Sequence, residues 1–239
     1  MRLGVLTDVH LAPEPRPGAR WQNLYDFEGL RGRLDAALAR FAAERVDAIC
    51  LLGDLSDDGD AASTEAVLEA VGACGPPVFV VGGNHDERLD PATLEDALES
   101  VENVTLAGGP LPCEQRVVLS HYPLLDRRAR LEAAGLLYAG DHPAGAARAE
   151  RLRADGDSTV VLCGHLHVRE SHADGPILQL ACAALIEYPF EVALLDADPG
   201  AVRIRRIPLA GPGEIERDPV LAPAAETFRF DGRRWQPVS

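Results

Sequence analysis

Five short apolar runs recur along the first two thirds of the chain, and each gives way abruptly to polar residues. Leu3–Leu6 leads into Thr7-Asp8-Val9-His10, Ala48–Leu52 into Gly53-Asp54, and Val78–Val81 into Gly82-Gly83-Asn84-His85-Asp86. Val117–Leu119 leads into Ser120-His121, and Val160–Cys163 into Gly164-His165-Leu166-His167. The runs are strand-length, rich in Val, Ile and Leu, and apolar without alternation, which predicts strands buried on both faces. Helical spacing separates the early strands. Leu30, Leu34, Leu38 and Phe41 share one face over Leu30–Phe41, and Val67, Leu68 and Val71 share one over Thr64–Val71. Pro91–Leu98, with Asp90 as its N-cap, and the Ala-rich segment 144–154 predict two further helices.

After His167 the pattern changes. Ile177–Leu180, Glu191–Leu195 and Val202–Ile207 read as shorter strands between Gly, Pro and Asp, as in an antiparallel finish. Residues 211–239 hold several prolines and little periodicity, which predicts an irregular tail packed on or trailing a domain over 1–210. No internal repeat or linker interrupts the chain, so the reading is one α/β domain.

Composition narrows the function classes. The chain has 239 residues, 46% of them hydrophobic, and a domain of this size buries roughly 70–75% of its unfolded surface without disulfides. The longest uncharged stretches, such as Ile177–Ile186, fall well short of the ~20 apolar residues of a membrane helix. Net charge is −15, and every one of the 23 cations is Arg; such a surface repels polyanions and disfavours nucleic acid as a partner. A small anionic substrate stays compatible, because a bound metal reverses the local sign. The cysteines, Cys50, Cys74, Cys113, Cys163 and Cys182, are odd in number and widely spaced. Polar chemistry begins at Asp8, so no cleaved leader is expected. Both features point to the cytoplasm.

The strand endings carry the chemistry. Ligands of open α/β sheets bind at the carboxyl edge of the strands, and all five runs end there in Asp, Asn or His. Asp8, His10, Asp54, Asn84, His121, His165 and His167 offer carboxylate, amide and imidazole donors without a thiolate, a set suited to Mn, Fe, Zn or Co. Asp8 and His10 are two apart, as are His165 and His167, so each pair faces one way if the strand persists. Seven donors exceed the needs of one four-coordinate ion; two ions roughly 3.5–4 Å apart that share a carboxylate would use them all.

The series Asp8-Val9-His10, Gly53-Asp54, Gly83-Asn84-His85-Asp86, His121 and Gly164-His165-Leu166-His167 resembles the calcineurin-like metallophosphoesterases in order and spacing. The resemblance implies a four-layer α/β/β/α sandwich with a dinuclear centre of transition metals (Mn, Fe or Zn). One ion would be held by Asp8, His10, Asp54 and His167, and the other by Asp54, Asn84, His121 and His165, with Asp54 as the bridge. It implies hydrolysis of a phosphoester by in-line attack of a hydroxide held between the ions. It also places His85 against the phosphate or leaving group, with Asp86 or another nearby carboxylate fixing its tautomer.

Within that superfamily, Ser/Thr protein phosphatases follow the second block with D-R-G and use G-N-H-E. This chain has Asp54-Leu55-Ser56-Asp57-Asp58-Gly59 and Gly83-Asn84-His85-Asp86, and looks closer to the bacterial class III cyclic-nucleotide phosphodiesterases. A phosphodiesterase acting on a small phosphorylated substrate, a nucleotide among the options, is therefore favoured. A nucleotide pyrophosphohydrolase or a small-molecule phosphomonoesterase comes next, and a non-catalytic metal-binding scaffold of the same fold is the reading from another class. Relatives of this size often form homodimers.

Other polar residues receive structural roles. Asp57, Asp58 and Asp60 read as a solvated turn and helix start, His142 and His172 as surface or helix-start residues, and Arg88, Arg127 and Arg128 as solvated cations. The segment Pro13–Phe27, with Arg16, Arg20, Trp21 and Tyr25, reads as an ordered surface loop that alternatively lines a substrate pocket.

Overall fold

The computed structural model of the chain describes all residues except 15, 89–93, 95–96, 99–100, 102, 141–143 and 239. The helix expected over 91–98 falls mostly outside the described residues, and His142 lies outside them altogether.

Two sheets carry the fold. The larger runs in the order β12-β11-β10-β9-β1-β2-β3-β4 and the smaller in the order β5-β6-β8-β7. In the larger sheet, β1 (Arg2–Leu6), β2 (Ala48–Leu51), β3 (Val78–Val80) and β4 (Val104–Leu106) are parallel. β9 (Glu191–Asp198), β10 (Ala201–Pro208), β11 (Ala225–Phe230) and β12 (Trp235–Pro237) extend it antiparallel from the free side of β1. The smaller sheet pairs β5 (Arg116–Ser120), β6 (Thr159–Cys163) and β8 (Ile177–Ala181) in parallel, with β7 (Glu170–Asp174) antiparallel on β8.

The unalternating apolar runs have the reason expected of them, because each strand packs on both faces. Leu3 and Val5 of β1, Cys50 of β2, Val160 and Leu162 of β6, and Leu178 and Leu180 of β8 meet in one core between the sheets. The opposite faces, through Leu6, Ile49, Leu51 and Val80, pack under α1 (Phe27–Glu44) and α2 (Ala61–Gly72). Val161 and Ile177 pack under Ala149 and Leu152 of α4 (Gly145–Asp155), while Cys163 and Ala181 meet Leu131 of α3 (Arg128–Ala133). Helix, sheet, sheet, helix is thus the layer order. α1 and α2 begin on side-chain caps, Asp26 accepting from the Gly29 amide and Asp60 from the Ser63 amide.

Residues 211–239 depart from the irregular tail expected of them. β11 and β12 continue the large sheet, and their Phe228 and Trp235 close one end of the inter-sheet core. Proline punctuation hid two short strands whose apolar residues number too few for a period to register. β7 was equally silent in sequence, since Glu170, His172 and Asp174 make an edge strand with charged positions.

Candidate metal centre

The parallel strands aim their carboxyl ends at one rim, where both sheets deliver their polar residues. β1 stops at Leu6, so Asp8 and His10 do not share a face by strand alternation. Both instead adopt left-handed backbone, with φ of 51° and 52°, as do Asp54 (52°), His165 (65°) and His167 (54°). Non-glycine residues visit this region rarely and at a cost on the order of 1 kcal/mol or more. Five of the eight described non-glycine residues with positive φ belong to the donor set, so the strain is concentrated where side chains must converge.

Glycines permit the approach of the loops. A Cβ on Gly164 would stand 2.7 Å from Oδ2 of Asp8 and collide with the Thr7 hydroxyl; one on Gly83 would collide with Asp54. The space is taken by functional atoms rather than left open.

The seven donors gather. Donor atoms of Asp8, His10 and His167 lie within 4.8 Å of one another, as do those of Asp8, Asp54 and His121. Oδ2 of Asp54 stands between the groups, 3.5 Å from Nε2 of His10 and 3.4 Å from Nε2 of His121. Asn84 turns its Oδ1 to Nε2 of His121 at 3.1 Å. The His165 ring centre is 5.0 Å from that of His121, and its backbone amide donates to Asp8. Each imidazole is held from behind: His10 Nδ1 by Asp57 (3.1 Å), His121 Nδ1 by the Leu52 carbonyl (2.7 Å), His165 Nε2 by the Ala139 carbonyl (2.6 Å) and His167 Nδ1 by Glu187 (2.6 Å). Such backing contacts fix tautomer and orientation in metal sites. Nε2 of His10 is buried with no hydrogen-bond partner, an arrangement that leaves a lone pair for a cation. The oxygen and nitrogen donors fit a pair of transition metals.

Charges in the cluster are strongly coupled. Burial opposes ionisation of Asp8 and Asp54, yet His167 beside the first and His121 and His10 beside the second hold both below the ordinary carboxylate range. Burial also opposes the imidazolium of His121 and His167, but Asp54 lifts the first to about 9, and Asp8 with Glu187 lifts the second to about 10. Burial and the nearby His121 push His165 down to about 4.

Several residues occupy places other than those expected. Asp57 is fully buried rather than solvated, and its carboxylate meets His10, Arg16 and, at 3.4 Å, Nδ1 of His85. Asp86 does not hold His85: Oδ1 accepts from the Leu55 and Ser56 amides and Oδ2 from the Gly83 amide. It joins the second and third loops, and burial with the Asp54 charge raises it to about 6. Nδ1 of His85 lies 2.6 Å from the Asp57 carbonyl, and Nε2 receives the guanidinium of Arg88 at 2.9 Å. Arg127 is no solvated cation, since it makes a two-pronged pair with Glu170. Arg128 stays exposed, as a solvated cation would, and lies over the Tyr138 ring. His172 sits half-buried on β7 among Arg127, Glu170 and Asp174.

A cleft of about 560 Å³ opens over the donors. One wall is the segment after the first donor pair, with Arg16, Arg20, Trp21 and Tyr25, and Arg88 faces in beside His85. Glu187, a residue without a role in the sequence reading, lies at the base of that wall. Its one signal was position, as the first charge after the long uncharged stretch Ile177–Ile186.

Residues 1–169 match the family model described as calcineurin-like phosphoesterase. The chain belongs to that family. Membership implies a dinuclear metal centre, and the gathered donors fit one. A probable cyclic nucleotide phosphodiesterase from a Synechococcus strain is 32% identical over 96 residues, 37% of this chain and 33% of that protein. The chain therefore spans only about a third of that relative. Solved structures share the fold. A dimetal phosphatase from Danio rerio aligns at a TM-score of 0.60 and 17% identity over 86% of this chain and 95% of its own. A conserved uncharacterized Streptococcus pneumoniae protein, described as a predicted phosphoesterase, aligns at 0.51 and 14% over 96% and 97%. No helix among the described residues is long and apolar enough to cross a membrane.

Proposed function

We propose that this phosphoesterase hydrolyses phosphodiester bonds of small nucleotides, cyclic nucleotides among them, at a two-metal centre. The observation that carries the reading is the position of Asp54 Oδ2 between Nε2 of His10 and Nε2 of His121, at 3.5 and 3.4 Å. Asp54 would bridge two ions, with Asp8, His10 and His167 on one side and Asn84, His121 and His165 on the other. Their identity, Mn, Fe or Zn, would follow supply, because the donor set accepts each. When bound, such a pair neutralises phosphoryl oxygens and makes water a competent nucleophile at neutral pH.

The chain's own groups supply the rest. His85 lines the cleft with its Nδ1 against the Asp57 carbonyl and its Nε2 accepting from Arg88; as the imidazolium, with Arg88 turned onto the phosphate, it would protonate the leaving oxygen. Arg88 and Arg16 face the place where negative charge builds. Trp21 gives the wall an aromatic face for a base, which supports an ester with an organic group on each side of phosphorus over a bare monoester. A nucleotide pyrophosphate is the second reading, favoured by Arg20 as a further cation in the same wall. Five free cysteines, three of them buried, support a reducing compartment.

Hydrolysis by Mn-loaded protein, compared across cyclic nucleotides, bis(p-nitrophenyl) phosphate, nucleotide pyrophosphates and p-nitrophenyl phosphate, tests this. Diesters are expected to lead in kcat/KM. A preference for the monoester overturns the assignment.

A further inference from the structure

Glu187 directly follows the segment after β8 and is fully buried. Its carboxylate collects three hydrogen bonds. Nδ1 of His167 donates to Oε1 at 2.6 Å, the Gln22 amide to Oε1 at 3.2 Å and the Asn23 amide to Oε2 at 2.6 Å. The first contact leaves Nε2 of His167 as the ring atom facing Asp8, 3.2 Å away. The other two reach the wall of the cleft, between Trp21 and Tyr25. Gln22 and Asn23 are themselves buried and fasten that wall to its surroundings. The Gln22 side chain bonds the Leu137 backbone at both ends, and that of Asn23 bonds Glu216 and Arg217. Arg16, Arg20 and Trp21 hang from this anchored pair.

We infer that Glu187 is a positioning residue that makes cation binding at His167 and ordering of the cleft wall over residues 16–25 one coupled event. The inference rests on reading His167 as a metal ligand. A cation on Nε2 of an imidazole makes the opposite N–H a stronger donor. That donor lies on the same oxygen that accepts the Gln22 amide, so the loaded ring fixes the carboxylate in the orientation both loop amides need. Coupling of this kind runs both ways: an ordered wall holds the carboxylate ready for the ring, and so favours the cation.

Zn²⁺ tests the coupling without paramagnetic interference. In a Trp235→Phe background, Trp21 is the sole tryptophan and reports on the wall. Zn²⁺ is expected to shift its emission in parallel with binding measured by calorimetry. Adding Glu187→Gln should weaken Zn²⁺ affinity by about 10–100-fold and abolish the emission shift even at saturation. Unchanged affinity, or a shift of normal size in this variant, overturns the inference. Amide exchange at Gln22 and Asn23 in the wild-type chain supplies a test that needs no variant. At least tenfold slower exchange with Zn²⁺ is expected, and equal protection with and without it overturns the inference. Failure of the wild-type protein to bind Zn²⁺ would remove the ligand reading itself, an outcome distinct from binding without coupling.

Discussion

The Asp57 carboxylate stands 3.1 Å from Nδ1 of His10, 47 positions away in the chain. It does so from a fully buried position, while also meeting Arg16 and the ring of His85. One acidic side chain thus orients a candidate ligand, a candidate proton donor and a cation of the cleft wall. In Asp57→Asn, an amide replaces one acceptor oxygen with a donor, which cannot satisfy all three partners. We expect a loss of about 10–100-fold in metal affinity or kcat, measured by calorimetry and steady-state kinetics. Wild-type values for both would exclude the orienting role.

His85 lines the cleft, and its backbone amide donates to Oδ1 of Asp54 at 2.8 Å. The His85→Ala protein is expected to retain two metals by elemental analysis. Turnover should fall by about 10²–10⁴-fold on esters with poor leaving groups, the range of general acid catalysis, and far less on p-nitrophenyl esters. A uniform fall across leaving groups would assign His85 to phosphate binding instead.

Proton competition sets the pH dependence of loading. Against the effect of burial, Asp54 lifts His121 to about 9, and Asp8 and Glu187 lift His167 to about 10. Both rings are therefore protonated at neutral pH before a cation arrives, and loading must release those protons. Apparent affinity should climb as pH rises from 6 towards 9, with proton release visible as a buffer-dependent heat. In metal-free protein the raised values stabilise the fold fully below the ordinary histidine value of 6.5. That contribution disappears as pH rises through 9 and 10. Thermal melts of stripped protein should fall across this range, and loaded protein should fall less.

Gly164 has no room for a side chain. In Gly164→Ala the methyl carbon would meet the Thr7 hydroxyl and Oδ2 of Asp8. Overpacking of this kind costs about 1–3 kcal/mol, read as a lower Tm together with weaker metal binding. An unchanged Tm with full metal content would show that the loops give way more easily than their contacts indicate.

Much of this arrangement was legible in sequence because burial and donor chemistry leave simple patterns. Runs such as Val160–Cys163 are apolar at every position because Val160 and Leu162 face one core while Val161 and Cys163 face others. The donors were visible as Asp, Asn and His at the ends of those runs. The groups behind them were not. Asp57 lies in an acidic turn whose composition is that of any solvated helix start, and only the approach of His10 and His85 encloses it. Glu187 is separated from Gln22 by 165 positions, a pairing that no local spacing encodes. Asp86 has the right neighbour in sequence but the wrong direction in space, because the Leu55 and Ser56 amides claim one of its oxygens and the Gly83 amide the other.

The donor set is divided between the two sheets. Asp8, His10, Asp54 and Asn84 follow strands of the larger one, and His121, His165 and His167 follow strands of the smaller. What registers one half against the other is the apolar filling between them, from Leu3 and Val5 across to Leu162 and Leu180. A slip of one ångström along that greasy seam would pull carboxylate and imidazole out of reach of a common ion. Ion retention would therefore gauge how well the sandwich has docked, and a substitution deep in the filling would weaken the site without touching a single donor.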